Sequence, residues 1–440
     1  MKGTIKMKKL FILLLFMFLF IIGIGCKNVE NNYQSSKGVA NLNQVSYEYK
    51  GANFSDSKFI DKLQLASFKL YNLLSPLGNG ENKNYVVSPL SIYMAFAILY
   101  YLGDDTVKTE LEDLLDMTSE DFSKTKDLFN SVVYEMKDRD EVITKVDLLN
   151  SLWLDNDKDI TFNEEMLSEL ASSLYCHMFN APFKNDNKSA NKYIQDFVKE
   201  FTNGLIDKSF DISVETIFTI INTLYFKDCW HNLDGELLTE EKRFNTYDDS
   251  FMCDFIYGNY EYGLESSNNV SRTMYSATSS YYKLYFILPN KGHSLNEAMD
   301  ANNLFELLKI KNLGISGNTI FYTRNIFPKF NISSSTDIAK TLKNNNYLNQ
   351  TFKTFYSKLT GSFPLAVSSI RNDSSFSVDE YGIEGASVTI IAVAPGDAEG
   401  EGDPIAYVYR DFLVDEPFGF ILTDYRGVVL FMGEVLDPTK

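Results

Sequence analysis

Enzymatic chemistry needs a nucleophile, a base or a metal at a recognisable spacing, and the 440-residue chain offers little of this kind. Its three histidines, His177, His231 and His293, are scattered and have no clustered carboxylates. They read as packed or surface imidazoles and not as bases or ligands. There is no GxSxG elbow, no P-loop, no GxGxxG turn and no HExxH. The acidic run Asp155 to Asp159 begins like a calcium loop, but Ile160 stands where the glycine is needed and Met166 where the closing acid is needed. Cys176, Cys229 and Cys253 are odd in number, match no metal spacing and read as buried free thiols. The chain is expected to be no enzyme, with no metal site and no cofactor.

A fourth cysteine carries a different chemistry. Lys2 to Lys9 is basic, Leu10 to Ile22 is continuously apolar, and the small residues of GIGC end at Cys26. This looks like a bacterial lipoprotein signal over residues 1–26, in which Cys26 is acylated and becomes the mature N-terminus. An ordinary secretory leader cleaved nearby is the alternative. Residues 27–57, polar and rich in Asn and Ser, read as a flexible tether to a folded domain over 58–440. The expected location is extracytoplasmic, held to a bacterial membrane or cell surface by lipid, or secreted if Cys26 is not acylated. The formal net charge is −18, and loss of the leader removes four further lysines. Such acidity argues against nucleic acid as a partner.

The remaining stretch of interest runs from Glu380 to Pro404. Ile383 to Ala394 is β-branched or small nearly throughout, a strand that favours burial. Gly396 to Asp403 is glycine and acid with one alanine, which builds no core. A core-grade strand is thus tied to an acidic loop.

The elements that must position this segment are legible around it. Residues 58–77 form an amphipathic helix pattern ended by Pro76 and Gly78. NYVVSPLSIYMAFAILYYLG predicts a short buried strand, a Ser-Pro helix start and a nearly all-apolar central helix closed by Gly103. VDLLNSLWLD and TIFTIINTLYFK read as central strands, with an amphipathic helix between them in NKYIQDFVKEFTNGLI. The C-terminal third is strand-rich and closes in a hairpin turned at Asp424 to Gly427. Helices early, strands late and no βαβ alternation predict a single α+β domain on a large, mostly antiparallel sheet.

Several segments resemble serpins and occur in serpin order. NYVVSPLSI resembles the family's SPLSI segment, INTLYFKDCW its N-A-x-Y-F-K-G-x-W, IQDFVKEFTNGLI its I-N-x-W-V-x-x-x-T-x-G-x-I, and FPKF its L-P-K-F. EPFGFILTDYRGVVLFMGEVLDP is similar to its C-terminal segment. VDEYGIEGASVTIIAV is similar to the hinge of the family's reactive loop, with Glu380, Gly382, Glu384, Ala386 and Thr389 in place and Ile383, Gly385, Ser387 and Val388 completing the run. The resemblance implies a serpin fold with three β-sheets, eight or nine helices and an exposed reactive-centre loop over about 380–411. It also implies a monomeric suicide substrate that traps a serine protease, with a cysteine protease as a further target class. Trapping follows insertion of the cut loop into the largest sheet.

In the family register the inward side chains are Ile383, Gly385, Ser387, Thr389, Ile391 and Val393, none of them charged. A slip of one residue would bury Glu384, so the pattern itself favours that register. Ile383 stands where inhibitory members usually have Thr. The resemblance also implies a sheet-opening region of Ser88, Ser91, Asn222, Asn372 and Trp230, with Asn372 in place of the usual histidine. Counting seventeen residues from Glu380 puts the bait bond at Gly396-Asp397, suited to a subtilisin-like or papain-like protease. Val393-Ala394, suited to an elastase-like one, is the alternative. Arg410 is a trypsin-type bait by residue type but lies too far from the hinge. The competing reading is a non-inhibitory serpin-fold surface lipoprotein that acts as a binding protein.

Overall fold

The computed structural model describes residues 40–41, 54–137, 145–157, 160–231, 237–310, 314–316, 318–353, 356–360, 367, 370–383 and 406–440. The leader with Cys26, most of the tether, hinge residues Glu384 to Thr389 and the bait candidates Val393, Ala394, Gly396 and Asp397 lie outside the described residues.

The apolar run after Val87 folds as a helix over Pro89–Leu102, and all but one of its side chains are buried. Ser88 starts it by accepting a hydrogen bond from the Ser91 N–H, and the Gly103 N–H closes it on the Leu99 carbonyl. A helix apolar all round has no solvent face to offer, so it forms the centre of the main core. The amphipathic pattern at the start of the domain gives the Ser57–Leu74 helix, capped by Asp56. The one in the middle gives the Asn187–Phe201 helix.

Eighteen strands are described, β1 to β18: Ala40–Asn41, Tyr85–Val87, Lys145–Asp155, Cys176–Ala181, Phe218–Cys229, Leu238–Asn245, Ser250–Tyr262, Glu265–Ser267, Ser271–Ala277, Lys283–Pro289, Ile315–Ser316, Thr319–Pro328, Phe330–Asp337, Arg371–Val378, Gly382–Ile383, Ala406–Leu413, Phe418–Thr423 and Val429–Val435. They form three sheets. The largest runs β1-β4-β3-β5-β15-β14-β13, the second β2-β18-β17-β10-β9-β8, and the third β11-β12-β7-β6 with β16 on β12. Pairing is antiparallel except for β3 with β4 and β12 with β16. Eleven α-helical segments occur among the described residues, three of them of five residues or fewer, which leaves eight of substantial length. This is the α+β architecture expected from the order of helices and strands.

The Asn187–Phe201 helix lies across β3 and β4 on a small aromatic core. Trp153 stacks on Phe179 at 4.5 Å and meets Phe197 edge-on at 5.2 Å. The helix and the segment after it thereby cover one face of the largest sheet beside β5. At the outer edge Ala40–Asn41 pairs with β4, so two residues of the expected tether join the sheet.

Cys176 is buried, whereas Cys229 and Cys253 are only half-buried, and the three form no disulfide. His177 is packed in the interior, where burial pulls its imidazole down to about 4; His231 is exposed. The Asp155 carboxylate accepts the backbone N–H groups of Asp157 and Lys184, and Asp157 pairs with Lys184. The run thus shapes a turn, and the described residues contain no cluster able to hold a metal ion.

Candidate functional site: an unfinished strand in the largest sheet

β14 ends at Val378 and the chain reverses within three residues. The Asp379 carboxylate accepts the N–H groups of Tyr381 and Gly382 at 2.9 and 3.0 Å, and its own N–H donates to the Gly382 carbonyl. An aspartate that bonds its own backbone two or three residues on is a strong turn former. β15 then starts back as a two-residue strand antiparallel to both neighbours. Ile383 pairs with Val378 of β14 and with Asp228 of β5, and Gly382 with Cys229.

The turn is clamped from outside. The Trp230 indole N–H donates to the Asp379 carbonyl at 2.7 Å, its backbone N–H to the Tyr381 carbonyl, and the Leu237 N–H to the Glu380 carbonyl. The Glu380 carboxylate meets Lys329 at 2.8 Å, and Lys329 also approaches Asp254 at 3.5 Å. Burial pushes the Glu380 carboxyl up, but the Lys329 hydrogen bond and charge outweigh it and hold the group below its usual range.

Two side chains fix the register. A Cβ at Gly382 would lie 2.2 Å from the Asp228 carbonyl oxygen and 2.7 Å from the Cys229 Cα, so only glycine lets β15 approach β5. Ile383 is 1% exposed, inside the core. An isoleucine where inhibitory serpins usually have threonine is therefore accommodated as an inward residue.

Past β15 no further strand stands between β5 and β14 among the described residues. β5 and β14 are each antiparallel to β15 and hence parallel to one another. β5 is laddered to β3 from Phe218 to Lys227 and β14 to β13 along its length. Among the described residues their facing edges carry no ladder beyond Cys229, Asp228 and Val378. Between them lies a cavity of about 200 Å³, lined by Thr219 to Thr223 of β5, Arg371 and Asp373 of β14, and Val198 and Ile206 from the covering helix and the segment after it. Asn222 Oδ1, Thr223 Oγ1 and Asp373 Oδ1 are buried there without a protein partner. Bare strand edges and orphaned polar atoms are costly to bury.

Ser88 and Asn372 lie together beneath the slot. Asn372 Oδ1 accepts from the Ser88 N–H at 3.5 Å and from the Ser374 hydroxyl at 2.8 Å, and Ser88 caps Ser91. Asn222 turns away and donates to Asn150, which in turn donates to the Leu174 carbonyl. Trp230 sits at the top of the slot, far along β5 from Asn222. The expected sheet-opening residues therefore divide into a Ser88-Ser91-Asn372 group, an Asn222-Asn150 pair and the Trp230 clamp. Sequence reasoning missed Asp379, Lys329, Ser374, Asn150, Thr223 and Asp373. The Asp-x-x-Gly spacing of Asp379 and Gly382 was a usable turn signal, and Lys329 lay inside the quoted FPKF without a role.

Arg410 belongs to β16. Its guanidinium meets Glu265 at 2.8 Å and donates to the Thr323 hydroxyl at 3.1 Å.

Comparison with known proteins agrees with this fold. A family model described as "Serpin (serine protease inhibitor)" matches residues 63–438. An uncharacterized serpin-like protein of Methanosarcina mazei is 23% identical over 98% of this chain and 99% of its own length. Alpha-1-antitrypsin of Meriones unguiculatus is 24% identical over 90% of this chain and 95% of that protein. Among solved structures, the thermophilic serpin tengpin in its native state is similar with a TM-score of 0.69 and 24% identity, covering 91% of this chain and 99% of tengpin.

Proposed function

The chain belongs to the serpin family, and on that premise we propose that it is an irreversible inhibitor of a serine protease, consumed in one turnover and not itself an enzyme. The protease serine attacks a carbonyl in the loop, an ester forms as the peptide C–N bond breaks, and the serine proton leaves on the new amine. The freed arm, starting from Ile383, then fills the space between β5 and β14 and draws the acylated protease away before water reaches the ester. Gly396-Asp397 is the assigned bait bond, with Val393-Ala394 as the alternative. A serine protease of subtilisin-like or elastase-like type is the preferred partner, a cysteine protease a further one, and the inhibitor acts as a monomer.

One observation supports this reading: Gly382 and Ile383 pair between β5 and β14, and among the described residues these two strands share no other ladder. Some ten to twelve newly paired residues, at roughly 0.5 to 1.5 kcal/mol per net hydrogen bond, contribute on the order of 10 kcal/mol. That matches the stability of a typical domain, about 5 to 15 kcal/mol, so insertion is strong enough to distort a captured protease.

The leader adds a location. Acylation of Cys26 and a tether through residue 57 would hold the domain on the outer side of a bacterial membrane, where it meets extracytoplasmic proteases. A Cys26→Ser chain that stays in the detergent phase would contradict the anchor.

The reading is tested by incubating the purified protein with elastase, subtilisin, chymotrypsin, trypsin and papain. A complex stable in denaturing gels, with a released fragment beginning at Asp397, is the expected result. Clean loop cleavage with no complex for every protease would favour a binding-protein role instead.

A further inference from the structure

β16 begins at Ala406 and, among the described residues, forms an edge of the third sheet by pairing with β12. Tyr407 and Tyr409 occupy one face of its first turns of pleat and are 56% and 62% exposed. Single exposed tyrosines are ordinary, but these two do not stand singly. Tyr409 stacks on Tyr322 of β12 at 5.3 Å and meets Tyr260 of β7 edge-on at 5.3 Å, while Tyr407 leans on Tyr322 at 6.1 Å. Arg324 supports the group from below, its guanidinium 4.6 Å from the Tyr260 ring centre and bound through two nitrogens to Asp411 at 3.1 Å each. The Tyr260 hydroxyl donates to Asp411 as well. The arginine charge is thereby neutralised by a neighbour and the rings are fixed in place, on the outer side of a strand that gains nothing in folding from exposing them.

We propose that this tyrosine platform is a secondary docking surface for the body of the protease that attacks the loop. The inference rests on the inhibitory reading of that loop. Three observations select a protein, and this protein, as the occupant. Tyrosine and arginine are the side chains enriched where proteins bind one another, and fixed rings lower the ordering cost. The strand bearing the platform is the direct continuation of the loop, so whatever holds the loop is tethered to it. Ala406 lies ten positions after Gly396, a reach of at most about 35 Å at full extension, comparable with the diameter of a domain, about 30 Å. A protease holding the bait bond is therefore kept at high effective concentration over the platform, and a weak contact there suffices.

The test uses the full mature protein and a Tyr407→Ser/Tyr409→Ser variant, with Tyr347→Ser/Tyr425→Ser, exposed elsewhere, as control. The second-order rate of attack on the loop, counting complex and cleaved inhibitor together, is measured at low and high salt for the same five proteases. Docking predicts a fall of about tenfold for the fastest protease in the platform variant alone, persisting at high salt where steering by the acidic loop is screened. Equal rates for variant and parent would overturn docking and leave trapping untouched. A slower attack without any trapped complex would support docking and overturn inhibition. Failure of every protease to attack the loop would overturn both. Where the double variant melts early, Tyr407→Ser alone carries the test, because it removes only the contact with Tyr322.

Discussion

At Gly382 a missing side chain decides whether a strand can begin. The space its Cβ would need is filled by the Asp228 carbonyl oxygen at 2.2 Å, and backbone cannot move aside as a flexible side chain can. Gly382→Ala is therefore expected to cost about 1 to 3 kcal/mol and to dislodge β15 from β5. Its inhibitor would be cut as before but trap a smaller share of protease, read as the ratio of complex to cleaved product; an unchanged ratio and melting temperature would contradict the role given to Gly382. Glu434, on β18, shows a different residue-level effect. Its carboxyl is buried and accepts from the Tyr71 and Ser75 hydroxyls. Burial pushes it up to about 8 in spite of them. The folded protein thus keeps this proton to a higher pH than the unfolded chain, whose carboxyl titrates near 4.5. The stabilisation is complete below pH 4.5, declines by about 1.4 kcal/mol per pH unit above it, and is gone by pH 8. Glu434→Gln is expected to flatten denaturant stability between pH 5 and 8, and an unaltered pH slope would contradict a neutral Glu434.

Among the elements, β5 is laddered to β3 from Phe218 to Lys227, and its Thr223 hydroxyl is buried with no hydrogen-bond partner. Removing a hydroxyl that has no bond removes a desolvation cost without losing an interaction. Thr223→Val should accordingly stabilise the uncut protein by about 1 kcal/mol, raising its melting temperature by roughly 2 °C or more. A lowered melting temperature would mean that the hydroxyl is satisfied. The strands themselves were readable from sequence, because VDLLNSLWLD and TIFTIINTLYFK are apolar on both faces and long enough for little else. So was the Pro89–Leu102 helix with its Ser88 and Gly103 caps. The bare edge between β5 and β14 was not readable, since it depends on which strands pair across some 150 residues of chain, a matter of tertiary packing. The same limit explains Asn222. Its type suits a polar cluster with Ser88 and Asn372, but its partner is set by the register of β5 on β3, which puts Asn150 directly opposite. The tyrosine platform left no trace because exposed and buried tyrosines have the same letter, and only pairing of β16 with β12 gathers them.

For the whole molecule, the Pro89–Leu102 helix packs against β3 and β5 of the largest sheet and β18 of the second, and among the described residues the largest sheet carries only two residues between β5 and β14. The order of resemblance along the sequence was enough to anticipate the family. What it left open was the physical state of the sheet that must receive the loop. On the proposed mechanism, adding a strand that continues from Gly382 and Ile383 between β5 and β14 would release free energy. Heat stability should then depend on whether the loop that follows Ile383 has been cut. The most direct measurement is the melting temperature of the purified protein before and after a single cut between residues 384 and 405. Insertion predicts a rise on the order of 10 °C or more, with the two fragments remaining associated. An unchanged or lowered melting temperature after a clean cut would show that the strand begun at Gly382 is never completed.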